Sequence, residues 1–172
     1  MAVEKQNKNG RLKLKQDLAK GSFETLYILY GEEAYLREYY LRQLRKKVVD
    51  ETFADFNLIE LDGKTLTLES LTEAVDSYPA MSERKLVIVT DFNIYAPPAS
   101  FGDQLIDLLS DLPDYVCLVF YFDILEAKPD KRTKMYKLLE KKACTAEFAR
   151  LEEKELIERL ERRARELNCI IS

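Results

Sequence analysis

Leu26-Tyr27-Ile28-Leu29-Tyr30-Gly31-Glu32-Glu33 decides the fold. An unbroken apolar run halted by a glycine suits a short strand covered on both faces, whereas a strand with one wet face would alternate. Directly after it, Leu36, Tyr40, Leu44 and Val48 fall at i, i+4, i+8 and i+12, which is one face of a helix. A strand followed by an amphipathic helix is the unit of a parallel sheet, because parallel neighbours need a crossover between them.

The unit recurs along the chain. Phe56 to Leu61 reads as a second strand closed by the Asp62-Gly63 turn, and Leu68, Leu71, Val75 and Tyr78 mark a helix that must stop before Pro79. Leu86 to Val89 is a third, wholly apolar strand. Past Pro97-Pro98, a helix carries Phe101, Leu105, Leu108, Leu109 and Leu112, and Tyr115 to Phe122 gives a fourth strand, again apolar on both faces. Lys131 to Lys142 is a basic helix with Met135, Leu138 and Leu139 inward, and Cys144 to Phe148 makes the fifth strand. This predicts an α/β protein with an open, doubly wound, five-stranded parallel sheet over residues 21–149.

The ends depart from this rhythm. Residues 1–20 are expected to be a loose tail, Met1 to Gly10, and a short helix, Arg11 to Lys20, stopped by Gly21. Over residues 150–172, Leu156, Leu160, Ala164 and Leu167 form an apolar stripe. Its opposite face is laced by Glu155 with Arg159, Glu158 with Arg162 and Glu161 with Arg165. We read it as the first helix of a truncated helical second domain.

Composition narrows the chemistry. The 172 residues carry 27 basic and 31 acidic side chains, a net charge of −4, so the chain lacks the global positive field of a nonspecific nucleic-acid binder. Histidine is absent, which excludes Ser-His, Cys-His and His-metal mechanisms. Cys117, Cys144 and Cys169 have no metal-ligand spacing and read as buried thiols in a reducing compartment. With no signal-peptide hydrophobic region and no apolar run long enough to span a bilayer, the expected location is cytoplasmic, away from membranes. No catalytic, metal-binding or cofactor-binding constellation is expected.

Ligands of open parallel sheets gather at the carboxyl ends of the strands. There, Gly31 to Leu36 stands where a P-loop would, with one glycine, no lysine and no hydroxyl, and with Glu32 and Glu33 where phosphates would lie. In a structural role, the two glutamates suit the first turn of the following helix. Asp91 ends the third strand without a second acid and reads as a strand-end cap or turn residue. The basic stretch Lys128, Lys131, Arg132, Lys134, Lys137, Lys141 and Lys142 is open to two readings, a contact with DNA phosphates or an acidic partner, or an ordinary solvated helix face. Ser77-Tyr78-Pro79-Ala80-Met81-Ser82-Glu83-Arg84-Lys85-Leu86 is a proline turn between a helix and a buried strand. Its apolar residues suit either covering the sheet edge or insertion into a partner's pocket.

Several of these segments together resemble the delta subunit of bacterial DNA polymerase III. They are Leu26 to Glu33, Phe56-Asn57, Leu61-Asp62-Gly63 and above all Pro79-Ala80-Met81-Ser82-Glu83-Arg84-Lys85-Leu86-Val87-Ile88-Val89, with a looser likeness through Tyr115 to Lys142. The resemblance implies an AAA+-like domain whose nucleotide site is degenerate at Gly31, Glu32 and Glu33, in a non-catalytic clamp-loader subunit. It implies a grip on the sliding clamp through Tyr78, Pro79, Ala80 and Met81 that opens the ring during replication. Ala80 stands where the family often has a second bulky residue. Other loader subunits would be met through a C-terminal domain, and DNA only indirectly. Two rivals remain on sequence grounds. A receiver domain would use Glu32, Glu33 and Asp91 as its acidic cluster, and a nucleotide-hydrolysing loader subunit would need the missing P-loop lysine.

Overall fold

The computed structural model describes residues 2–150, 157 and 161–165, with side chains from residue 10 onward. An N-terminal helix, α1 (Ala2–Lys20), leads into β1 (Leu26–Tyr30) and α2 (Ala34–Val48). A short helix, α3 (Ala54–Asn57), precedes β2 (Leu58–Asp62), and α4 (Leu68–Asp76) precedes β3 (Lys85–Thr90). Then come α5 (Gly102–Ser110), β4 (Val116–Tyr121), α6 (Lys134–Lys142) and β5 (Cys144–Glu147). All strand pairs are parallel, in the order β2-β3-β4-β1-β5.

That order removes the receiver-domain rival. Receivers keep β1 between β2 and β3, whereas here β1 lies between β4 and β5, with Leu26 opposite Leu118 and Tyr27 opposite Cys144.

The pleat sorts side chains to two cores. Leu26, Ile28, Val87, Val89, Leu118 and Phe120 face α4, α5 and α6, meeting Leu71, Val75, Leu105, Leu109, Met135 and Leu139. On the reverse face Tyr27, Leu29, Leu86, Ile88, Cys117 and Val119 meet Leu14 and Leu18 of α1 and Leu41 and Leu44 of α2. Burial on both faces is why β1 and β4 are apolar throughout, while edge strand β2 is only half buried.

Several boundaries differ from the sequence reading. Helix α1 starts at Ala2 rather than Arg11, so the expected loose tail is helical, and α1 packs against the outer edge of β5. The approach is so close that a Cβ on Gly10 would lie 1.7 Å from the Thr145 carbonyl oxygen. Strand β2 begins at Leu58, because Phe56 and Asn57 end α3, Phe56 in solvent and Asn57 fully buried. Helix α4 stops at Asp76, short of Tyr78, since a residue before proline favours extended backbone. Helix α5 ends at Ser110, before Leu112, and α6 starts at Lys134, where the Thr133 hydroxyl accepts the Tyr136 N–H.

Cys117 and Cys144 are free and buried, and burial pushes both thiols up to about 12. Cys169 lies outside the described residues. So do most of the expected second-domain helix and its first two ion pairs; of the three, Glu161 with Arg165 is present at 3.3 Å. Among the described residues, no helix is long and apolar enough to cross a membrane.

Candidate functional site

A parallel sheet has two chemically distinct edges, and the sequence-predicted residues divide between them. At the carboxyl edge, Gly31 adopts φ +126°, and a Cβ there would lie 2.4 Å from the Phe148 carbonyl oxygen. The chain leaving β5 crosses this turn. Phe148 N–H donates to the Tyr30 carbonyl at 2.7 Å, and Glu33 N–H donates to the Phe148 carbonyl at 2.9 Å. A backbone amide that could face a phosphate is thus already committed.

Arg37, on α2 and 5% exposed, reaches over the same turn. Its guanidinium donates to the Gly31 carbonyl and, at 2.9 Å, to the Asp123 carbonyl, and lies 5.3 Å from the Tyr121 ring centroid. The chain's own groups therefore fill the turn between β1 and α2. Glu32 and Glu33 precede the helix rather than lying in its first turn, Glu33 being the residue before Ala34. Asp91, at φ +56°, is the turn residue its lone position suggests. Its Oδ1 accepts the N–H groups of Asp123, Ile124 and Leu125 at 2.8, 3.0 and 2.9 Å.

The proline turn lies at the opposite, amino edge, between α4 and β3. Tyr78 is 83% and Met81 86% exposed, Ala80 is exposed and Pro79 half-buried. Beneath this apolar tip is a polar scaffold. Asn57, with no solvent exposure, accepts the Ala80 N–H through Oδ1 at 2.7 Å and donates Nδ2 to the Ala80 carbonyl at 2.8 Å. Lys85 is also buried. Its ammonium donates to the Ser77 carbonyl and, at 2.9 Å, to the Ser77 hydroxyl, and sits 5.5 Å from the Tyr115 ring centroid. Tyr115 in turn donates to the Asp76 carbonyl at 2.9 Å, and its ring centroid is 5.0 Å from that of Tyr78.

Met81 has φ +51°, in the left-handed region that side-chain-bearing residues rarely adopt. Such a backbone costs on the order of 1–3 kcal/mol and persists only where neighbours enforce it. Asn57 holds the adjoining Ala80 and Lys85 holds Ser77, and neither stands out in the sequence as a site residue. Asn57 is 23 positions from Ala80 and reads locally as strand. Phe56, next to Asn57 in the chain, is 70% exposed, although the sequence reading places it inside a strand.

The basic stretch joins neither edge site. Met135 and Leu139 turn α6 onto the sheet, while Lys134, Lys137, Lys141 and Lys142 are exposed. Lys128 and Arg132 pair locally with Glu126 and Asp130. This is the pattern of a solvated helix face.

Comparison with known proteins places the chain in a family. The DNA polymerase III, delta subunit family matches residues 27–149. DNA polymerase III subunit delta of Bacillus subtilis is 31% identical over 145 residues, covering 81% of this chain and 42% of that protein, so the chain spans about two fifths of its relative's length. The solved structure of the Bacillus subtilis DNA clamp loader delta protein superposes with a TM-score of 0.74 at 28% identity, over 86% of this chain and 44% of that one. A DNA polymerase III gamma subunit-related protein of Thermotoga maritima shares the fold, with a TM-score of 0.50 at 13% identity over 87% of this chain and 49% of that one. These likenesses agree with an AAA+-like arrangement of the sheet. Since the family match runs from β1 to just beyond β5, the chain belongs to the DNA polymerase III delta-subunit family.

Proposed function

We propose that this chain is the clamp-gripping part of a clamp-loader delta subunit, and that it binds the ring-shaped sliding clamp through Tyr78, Pro79, Ala80 and Met81. One observation carries the reading. At the amino edge, a proline-containing tip holds Tyr78 and Met81 almost fully in solvent while buried Asn57 and Lys85 fix its backbone.

An apolar side chain held in water is a store of binding energy. Burying one of this size contributes about 1.5–3 kcal/mol, so Tyr78 and Met81 together can supply about 3–6 kcal/mol toward the grip, before the cost of association is set against them. Ala80 adds little area, which concentrates the interaction on Met81 and Tyr78. Opening the ring requires only that the tip bind the sprung interface more tightly than the closed one, because a ligand shifts an equilibrium by its differential affinity.

In this reading the chain acts by binding, without catalysis. Residues 21–149 form the AAA+-like domain, and the unmatched part of the longer relatives joins the other loader subunits. DNA is reached through the clamp.

Titration against the cognate clamp, by calorimetry and co-elution, tests this. Met81→Glu should abolish binding with an unchanged melting curve, since the carboxylate would enter an apolar pocket unpaired. Lys137→Glu on α6 should leave binding nearly unchanged. A folded Met81→Glu protein with full clamp affinity would show that the grip lies elsewhere.

A further inference from the structure

The side-chain amide of Asn57 holds the Ala80 backbone as a neighbouring strand would, accepting its N–H and donating to its carbonyl at 2.7 and 2.8 Å. Both bonds are made by a side chain with no solvent exposure, so water cannot readily replace either partner. The grip uses only the Ala80 backbone and leaves its side chain outward. It also sits immediately before Met81, whose φ of +51° a free loop would rarely hold. At the other end of the tip, the ammonium of Lys85 secures Ser77. The tip is therefore tied at both ends from below, and Tyr78 and Met81 are presented on a frame set before any partner arrives.

We infer that Asn57 is a positioning residue for clamp binding. It does not touch the clamp, but it keeps the tip in the binding-competent conformation and so governs how often an encounter succeeds. This rests on the reading of Tyr78 to Met81 as the clamp-binding tip. Its kinetic consequence is specific. Loosening a pre-organised loop lowers the competent fraction, which weakens apparent affinity by that fraction and appears in the association rate, while a lost contact appears in dissociation.

The test uses the 172-residue chain, its cognate clamp and four proteins: wild type, Asn57→Leu, Asn57→Ser and Met81→Ala. Amide exchange reports the latch directly. The Ala80 N–H should be protected in the wild type and exchange much faster in both Asn57 variants, with Val87 in the core unchanged. Stopped-flow binding should show Asn57→Leu weaker by roughly tenfold or more, mostly in the association rate, and Met81→Ala weakened mainly in dissociation. Should Asn57→Leu fail to fold, Asn57→Ser carries the same expectation in milder form. Wild-type association by either folded Asn57 variant, or a loss confined to dissociation, overturns the inference while leaving the tip assignment intact. No clamp binding by the wild type overturns the tip assignment and the inference with it.

Discussion

Replacing Arg37 by alanine is the sharpest test of how the carboxyl edge is held together. Two backbone carbonyls, Gly31 at the end of β1 and Asp123 after β4, depend on its guanidinium. Hydrogen bonds from a charged donor contribute about 1.5–3 kcal/mol each, and losing the donor leaves the acceptors partly desolvated. Against this stand the burial of the charge and the Nε of Arg37, which has no hydrogen-bond partner. The 3.4 Å pairing with the Asp123 carboxylate adds little, because that side chain is 51% exposed. The balance is a loss of roughly 2–4 kcal/mol, within the total stability of a domain, so the variant should fold with a melting temperature lower by about 5–15 °C. Arg37→Met, which keeps the apolar stem but no donor, should recover only the packing part. Urea unfolding followed by circular dichroism measures both variants. An Arg37→Ala midpoint indistinguishable from wild type would refute the idea that this side chain ties the two strand ends.

Two further outcomes follow from the same geometry. Mg-ATP titrated into the chain should give no heat above dilution, because Phe148 and Arg37 fill the turn after β1 and Glu32 and Glu33 stand in that turn; saturable micromolar binding would contradict this. Burial pushes the Lys85 ammonium down from 10.5 to about 8, with Asp76 opposing. Between those values the unfolded chain holds more protons than the folded one, so this residue's contribution to stability should rise with pH over that window and be flat below it. The stability difference between wild type and Lys85→Met, measured from pH 7 to 10.5, should show that rise, and a constant difference would contradict it.

The central strands were legible because they are buried on both faces. Leu26 to Tyr30 and Leu86 to Val89 each lie within their observed strand, and Tyr115 to Phe122 overshoots its strand by one residue at each end. Strand order was not legible, since the apolar runs of β1 and β4 carry no sign of which neighbour each will take. Met1 to Gly10 lack a clear apolar stripe, and α1 becomes understandable only as the cover for the outer edge of β5. At the tip, the proline turn and its apolar residues could be read directly. Its scaffold could not, because Asn57 and Lys85 act across tertiary distance, and a lysine ahead of an apolar strand resembles an ordinary solvated residue. Lys85 is in fact 1% exposed. At the turn after β1, Arg37 and Phe148, which fill it, come from elsewhere in the fold and could not be read from the local sequence.

The most direct measurement is a hydrogen-exchange footprint of the chain with and without its cognate clamp. Protection should fall on the segment from Ser77 to Ser82 at the amino edge. Gly31 to Arg37 and Asp123 to Leu125 at the carboxyl edge should exchange as in the free chain. A footprint on the carboxyl edge or on α6, with the tip unchanged, would contradict the assignment of the clamp-binding surface.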